Sequence, residues 1–425
     1  MLNRVEAPSF NAISGIKLIE PKEHRFSNGI KAFEFFADNQ DLVRIEWIFK
    51  NKYEQEENPM LNTCLSSLIK EGTKSFTSAE IADKVDFYGA YLMPEYSYDH
   101  TSLTLYTLTK HSATLLPLIK EILTEATLPQ KELDTYIRNN KQKLQVSLQK
   151  NDYIARRYFY NHIFGKNRYG RTPDLGDYDL LTRDALANLY AKQFQPENCT
   201  LIISGNVSES LLQDIYQLFN EEWPASGQPA LEVIPTFDSH IGKLIVEEKA
   251  DSVQSAIRLG YPTINRTHAD YPALQFVNTL LGGYFGSRLM KNIREEKGYT
   301  YGIGSAVASL LYNGFFTIAT EVGTEVTAAT LTEIEKEITT LRNELADVEE
   351  IELVKNYMAG SMLGSLESIF SHADKFKSAL FSGMDLTYYE RYLQQVKVMT
   401  PEKVQAIAKQ YIDYDKLLKV VVGKL

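Results

Sequence analysis

The chain has 425 residues, 44% hydrophobic and 24% charged, with a formal net charge of −10. That is long and apolar enough for two or three compact units and excludes a disordered polymer. The acidity, with no dense Lys/Arg stripe to offset it, disfavours nucleic acid as a partner.

The first segment, from Met1 to Ser9, carries no apolar core of a secretory signal and no Arg-rich amphipathic pattern, and no run approaches the ~18 apolar residues that span a bilayer. A cytoplasmic protein with no membrane partner is expected. Cys64 and Cys199, too few for a disulfide framework, are read as reduced and buried.

In chain order, a helix is predicted from about Pro59 to Glu71. Met60, Leu61, Cys64, Leu65, Leu68 and Ile69 make its apolar face, and Thr63, Ser66, Ser67 and Lys70 the polar one. A strand from His100, alternating with period two, leads into a helix over Ser112 to Thr124 and a long one over about 130–150. At Thr182 an N-cap opens a helix with apolar Leu186, Leu189, Tyr190 and Phe194, and a β-branched strand from Thr200 ends at Gly205.

Pro224, Gly227, Pro229 and Pro235 then mark a linker. Beyond it, a turn with Ser287 as cap opens a helix stopped by Gly298, and a strand is expected to begin near Tyr299. A strand at Phe315 and helices over Thr327 to Leu341 and about 348–366 follow. Thr400, with Pro401 at the first helical position, opens a last helix with Val404, Ile407, Ala408 and Tyr411 inward, and a strand from Lys419 ends at Gly423.

The segment from Leu181 to Gly205 and that from Met399 to Gly423 thus repeat one design. The chain is expected to be α+β: two homologous domains, each a mostly antiparallel sheet covered on one side by helices, arranged as a clam-shell. Expected boundaries are 1–222, a linker at 223–240, and 241–425.

None of the seven histidines, His24, His100, His111, His162, His240, His268 and His372, lies three or four residues from another, so no helical ligand pair exists. The helix after Pro59, ending in Gly72-Thr73, resembles the strand-turn-helix of the insulinase, pitrilysin and mitochondrial-processing-peptidase superfamily of inverted zinc peptidases. In that family the polar face carries His-x-x-Glu-His, with a glutamate in a helix further on. Laid on this pattern, Thr63 and Ser67 replace the zinc histidines, Ser66 the general-base glutamate and Lys143 the third ligand. Hydroxyls are poor zinc ligands and an ammonium repels a cation, so no metal is expected in this chain.

Gly283 to Ser305 is similar to the family's "Ser-Arg-Leu…Leu-Arg-Glu-Lys-x-Gly-Leu-Ala-Tyr" signature, which identifies Arg294 and Tyr301 with the pair that grips substrate opposite a zinc site. The resemblance implies a non-metal-binding subunit of a heterodimeric zinc peptidase. It would hold unfolded peptide against a homologous partner that carries the zinc and would be inactive alone. A purely structural or interaction subunit is the alternative; a hydrolase built on Ser67 and Lys70 (Ser-x-x-Lys) is disfavoured, since no companion motif accompanies it. Homodimers without the partner stay open.

Overall fold

The computed structural model describes residues 13, 15–51, 58–227 and 234–425. The opening residues, the acidic stretch from Tyr53 and the centre of the expected linker lie outside the described residues.

The first sheet contains β1 (Lys22–Arg25), β2 (Lys31–Phe36), β3 (Leu42–Lys50), β4 (Tyr91–Tyr96), β5 (His100–Leu108) and β6 (Cys199–Gly205), in the order β1-β2-β6-β3-β5-β4. Only β2 and β6 pair in parallel. Helices α1 (Leu61–Leu68), α2 (Ser78–Phe87), α3 (Ser112–Glu125), α4 (Gln130–Ser147), α5 (Asn151–Phe164), α6 (Arg183–Gln193) and α7 (Glu209–Tyr216) belong to the same half. The second sheet has β7 (Leu244–Glu248), β8 (Gln254–Thr263), β9 (Ile303–Ser309), β10 (Gly314–Gly323) and β11 (Leu418–Gly423), in the order β7-β11-β8-β10-β9. Its helices are α8 (Tyr271–Asn278), α9 (Thr327–Asn343), α10 (Val348–Gly364), α11 (Ile369–Leu380), α12 (Thr387–Lys397) and α13 (Pro401–Tyr411), with π-helical turns at Thr279–Gly283 and Met290–Glu296.

Removing β1 makes the two strand orders identical, down to the single parallel pair (β7 with β11). The duplication predicted from the sequence is therefore structural. Its caps are in place: Thr182 accepts from the Ala185 amide and Thr400 from that of Lys403. Gly205 and Gly423 end matching strands at positive φ, where a Cβ would lie 2.2 Å from the Leu42 carbonyl oxygen and 2.6 Å from Ser255 Oγ respectively. Thr400→Ala is expected to lower stability by about 1 kcal/mol, the usual worth of such a cap, read as a shifted urea midpoint at unchanged slope.

Strand alternation sends Val43, Ile45, Trp47 and Phe49 into a core under the helices of the first half. The second half builds an equivalent core around Leu259, Phe316, Ile318 and Val404. The clam-shell expectation holds, with an addition: each sheet's other face receives a helix from the opposite half. Helix α5 lays Ile154, Phe159 and Ile163 on Ala256, Leu418, Val420 and Val422 of the second sheet. Helix α11 lays Ala373 and Phe376 on Phe35, Ile48 and Ile202 of the first. No helix among the described residues is long and apolar enough to cross a membrane.

Candidate functional site

Two places could carry chemistry: the polar residues of α1 and the turn between the second π-helical segment and β9.

Helix α1 is wedged among β4, β5, α4 and α6. Little of its circumference is left to solvent, and here the expected polar face is corrected: Ser66 is buried, only 3% exposed. Ser67 is half-buried and its hydroxyl donates to the Thr63 carbonyl at 3.0 Å, one turn back. Thr63 borders a small cavity of about 170 Å³ together with Tyr96 and Tyr98. Lys143 is exposed beside the buried Leu144. The residue of α4 that reaches α1 is Tyr136, whose phenol hydrogen-bonds Ser67 and whose pKa is pushed up by burial first and by Cys64 and Tyr178 next. Burial also pushes the Cys64 thiol up to about 12, so it stays protonated at neutral pH. Hydroxyls, a phenol and a neutral thiol make a donor set with no anion and no imidazole, which does not fit zinc. Among the described residues no group of three or more His, Cys, Asp or Glu is placed to hold a metal ion. Nor is Ser67 joined to Lys70, because its proton is given to the helix backbone.

Tyr136 was not singled out by sequence reasoning. Its position, 69 residues after Ser67 in a helix of unremarkable composition, carries no local signal. Only the packing of α4 on α1 brings the two together.

The second place is differently built. The Met290–Glu296 turn is fixed by buried Ile293 and by Asn292, whose side-chain amide donates to Glu333 Oε2 at 3.0 Å and to Glu337 Oε1 at 2.7 Å on α9. Gly298, at φ +66°, stops the helix as expected, and the Tyr299 amide returns to the Ile293 carbonyl at 3.0 Å. This closing turn occupies Tyr299 to Gly302, so β9 begins at Ile303 and not near Tyr299. Ser287 does sit where a cap is needed, its carbonyl accepting from the Lys291 amide, but its buried hydroxyl finds no partner among the described residues.

Arg294 lies half-buried with its guanidinium 4.7 Å from the centre of the Phe285 ring, and Phe285 is itself exposed. Tyr301 is 93% exposed. The loop that carries it is nailed down next door: Thr300 Oγ donates to the Glu321 carbonyl at 2.7 Å and accepts from the Gly302 amide at 3.1 Å. No hydrogen bond or ring contact joins Arg294 to Tyr301 among the described residues. The site is thus two donors held on anchored backbone, a guanidinium supported by an aromatic ring and a phenol presented to solvent. Phe285 was missed in sequence, although the Gly-Tyr-Phe-Gly run places it nine residues before Arg294.

Residues 180–358, which include Arg294 and Tyr301, match the family model described as "Peptidase M16 inactive domain". Among curated proteins, the chain is 24% identical over 409 residues to an "Uncharacterized zinc protease YmxG" of Bacillus subtilis, covering 94% of this chain and 98% of the relative. It is 22% identical to a "Non-peptidase homolog YmxG" of Helicobacter pylori, over 84% of this chain and 83% of that one. Among solved structures, a peptidase M16 inactive domain from Pseudomonas fluorescens superposes with a TM-score of 0.83 at 21% identity, covering 96% of this chain and 99% of the other.

Proposed function

We propose that the chain, similar over residues 180–358 to the "Peptidase M16 inactive domain" model and over most of its length to a "Non-peptidase homolog", is the substrate-holding, metal-free subunit of a two-chain zinc peptidase. The observation that carries this reading is the contrast between its two sites. Among the described residues the α1 region holds no donor set for zinc, whereas Arg294 and Tyr301 are presented on anchored, solvent-facing backbone. Zinc in the homologous partner would polarise the scissile carbonyl. This chain's part is to place a guanidinium and a phenol, both hydrogen-bond donors, against the peptide backbone and the oxyanion that develops there. In this assignment the halves divide at 223–240 and the substrate is an unfolded peptide.

The support from Tyr301 is chemical: a phenol 93% exposed has little to do for the fold. The test is to mix the chain with a homologous chain bearing His-x-x-Glu-His and follow zinc-dependent peptide cleavage. Cleavage is expected only from the mixture, and Arg294→Ala is expected to lower kcat/KM about 100-fold, the loss typical of one oxyanion donor. Tyr301→Phe, which keeps the ring and removes the donor, is expected to act in the same direction. Unchanged cleavage in both variants would leave the chain a structural subunit.

A further inference from the structure

Beside α11 and α12 lies a cavity of about 500 Å³ lined by two cations without an anion of their own. Arg266, in the loop after β8, donates through Nη1 to the hydroxyl and carbonyl of Ser378, and its Nε and Nη2 meet no acceptor among the described residues. Lys375 makes no ion pair through its ammonium there; it lies over the Tyr389 ring, 5.6 Å from the centre. The single carboxylate on the cavity wall, Asp374, is already held by Arg44 at 3.1 Å and Lys377 at 3.2 Å. Burial first, and then Arg266, hold the Lys375 ammonium below the ordinary lysine range. Asp374, shared with Arg44 and Lys377, offsets these two positive charges only in part, so the Lys375 ammonium stays below its ordinary range.

The rest of the wall is aromatic and hydroxylic, with Tyr388 and Tyr392 from α12. A second cavity of about 690 Å³ shares Arg266, Asp374 and Ser378 with the first and extends to Tyr96 at the end of β4. The two meet at these shared residues and make one channel between the halves; its first-half end is also lined by Glu95 and by Asp99, the latter paired with Arg168 at 3.0 Å, and its cationic end lies at Arg266 and Lys375. Tyrosine rings suit a side chain next to the anion better than they suit a free inorganic ion.

We propose that Arg266 and Lys375 form an anion site that takes the carboxylate of a peptide lying in the channel between the two halves. This rests on the peptide-holding reading above and specifies it: peptides offering a carboxylate, at the C-terminus or on a side chain, are the preferred ligands. A guanidinium fork and an ammonium donate to one carboxylate by charge-assisted bonds.

Calorimetry on the full chain, without partner or zinc, tests this with an acetylated pentapeptide of alanine and tyrosine as the free acid, the same peptide as its C-terminal amide, and inorganic phosphate. The acid is expected to bind at least tenfold tighter than the amide, and Lys375→Met to remove about that factor for the acid while leaving the amide unchanged. Arg266→Gln is expected to act alike, with thermal unfolding showing both variants folded. Equal binding of acid and amide, no heat from either, or an unchanged acid affinity in folded Lys375→Met overturns the proposal. So does phosphate binding without preference for acid over amide, which reassigns the site to free phosphate. The binding needs neither Arg294 nor the partner's zinc, so its failure leaves the cleavage reading standing, and loss of cleavage leaves this site standing.

Discussion

Replacing Glu46 by alanine is expected to destabilise the protein by about 3–5 kcal/mol, the cost of stranding buried charges by removing their partner. Glu46 and its neighbour Arg44 point from β3 to the face of the first sheet that α11 covers, and they are 2% and 4% exposed. Arg44 forms ion pairs with Glu46 at 3.0 Å and Asp374 at 3.1 Å, and donates to the Phe370 carbonyl at 3.1 Å. Lys377 closes the circuit, 2.6 Å from Glu46 and 3.2 Å from Asp374. Burial pulls the Lys377 ammonium down, but Glu46 and then Asp374 more than offset it, so its pKa is raised.

The sign follows from that direction: the contribution of Lys377 is complete below its ordinary value near 10.5 and is lost as pH climbs through the raised folded value. At neutral pH the latch is at full strength. Urea unfolding of Glu46→Ala measures the loss. A second variant separates charge stranding from lost packing: Glu46→Leu with Lys377→Met, which empties both sides of that pair, is expected to recover part of the deficit. Loss of under 1 kcal/mol in Glu46→Ala would show that the network is too wet to matter.

The duplication could be read from local chemistry because caps and terminal glycines are local. A Thr before an acid-rich first turn and a strand-ending glycine need no tertiary information, and both copies folded as their residues dictate. What the sequence could not reveal is which sheet a helix covers. The pattern of α5 shows that Ala155, Phe159 and Ile163 share a face; it is silent on whether that face meets the first sheet or the second. In β3, the alternation of Arg44 and Glu46 with Val43, Ile45 and Trp47 reads as a solvent face, and it is covered only because α11 brings Asp374 and Lys377 to meet it.

The candidate site divides along the same line. Gly298 was legible as a helix stop from one helix end, whereas Arg294 and Tyr301 were singled out only through the resemblance of Gly283 to Ser305 to a family signature. Tyr136 on Ser67 and the burial of Ser66 depend on α4, α6 and β4 closing round α1, contacts that no local pattern encodes.

The exchange of α5 and α11 makes Phe159→Ala the sharpest probe of how the halves hold together. Phe159 is fully buried, belongs to the first half by sequence and packs on the second sheet. Its ring lies so close to Gly260 on β8 that a Cβ there would come within 2.8 Å of it. Phe315 meets it edge-on at 6.3 Å. Truncation is expected to cost about 3–5 kcal/mol, from lost burial and the cavity left behind. The matching ion pairs Arg44 with Asp374 and Arg258 with Asp152, at 3.1 Å and 2.7 Å, tie the same two crossings. If each half depends on the other's helix, damage on the second sheet must be felt in the first. Both tryptophans, Trp47 and Trp223, are in the first half's core, so their fluorescence reports that half alone. In Phe159→Ala the fluorescence midpoint in urea is expected to fall together with that of far-ultraviolet circular dichroism, in one transition. A fluorescence transition that stays where it was while the dichroism splits in two would mean that the halves fold independently and that the exchange is only contact.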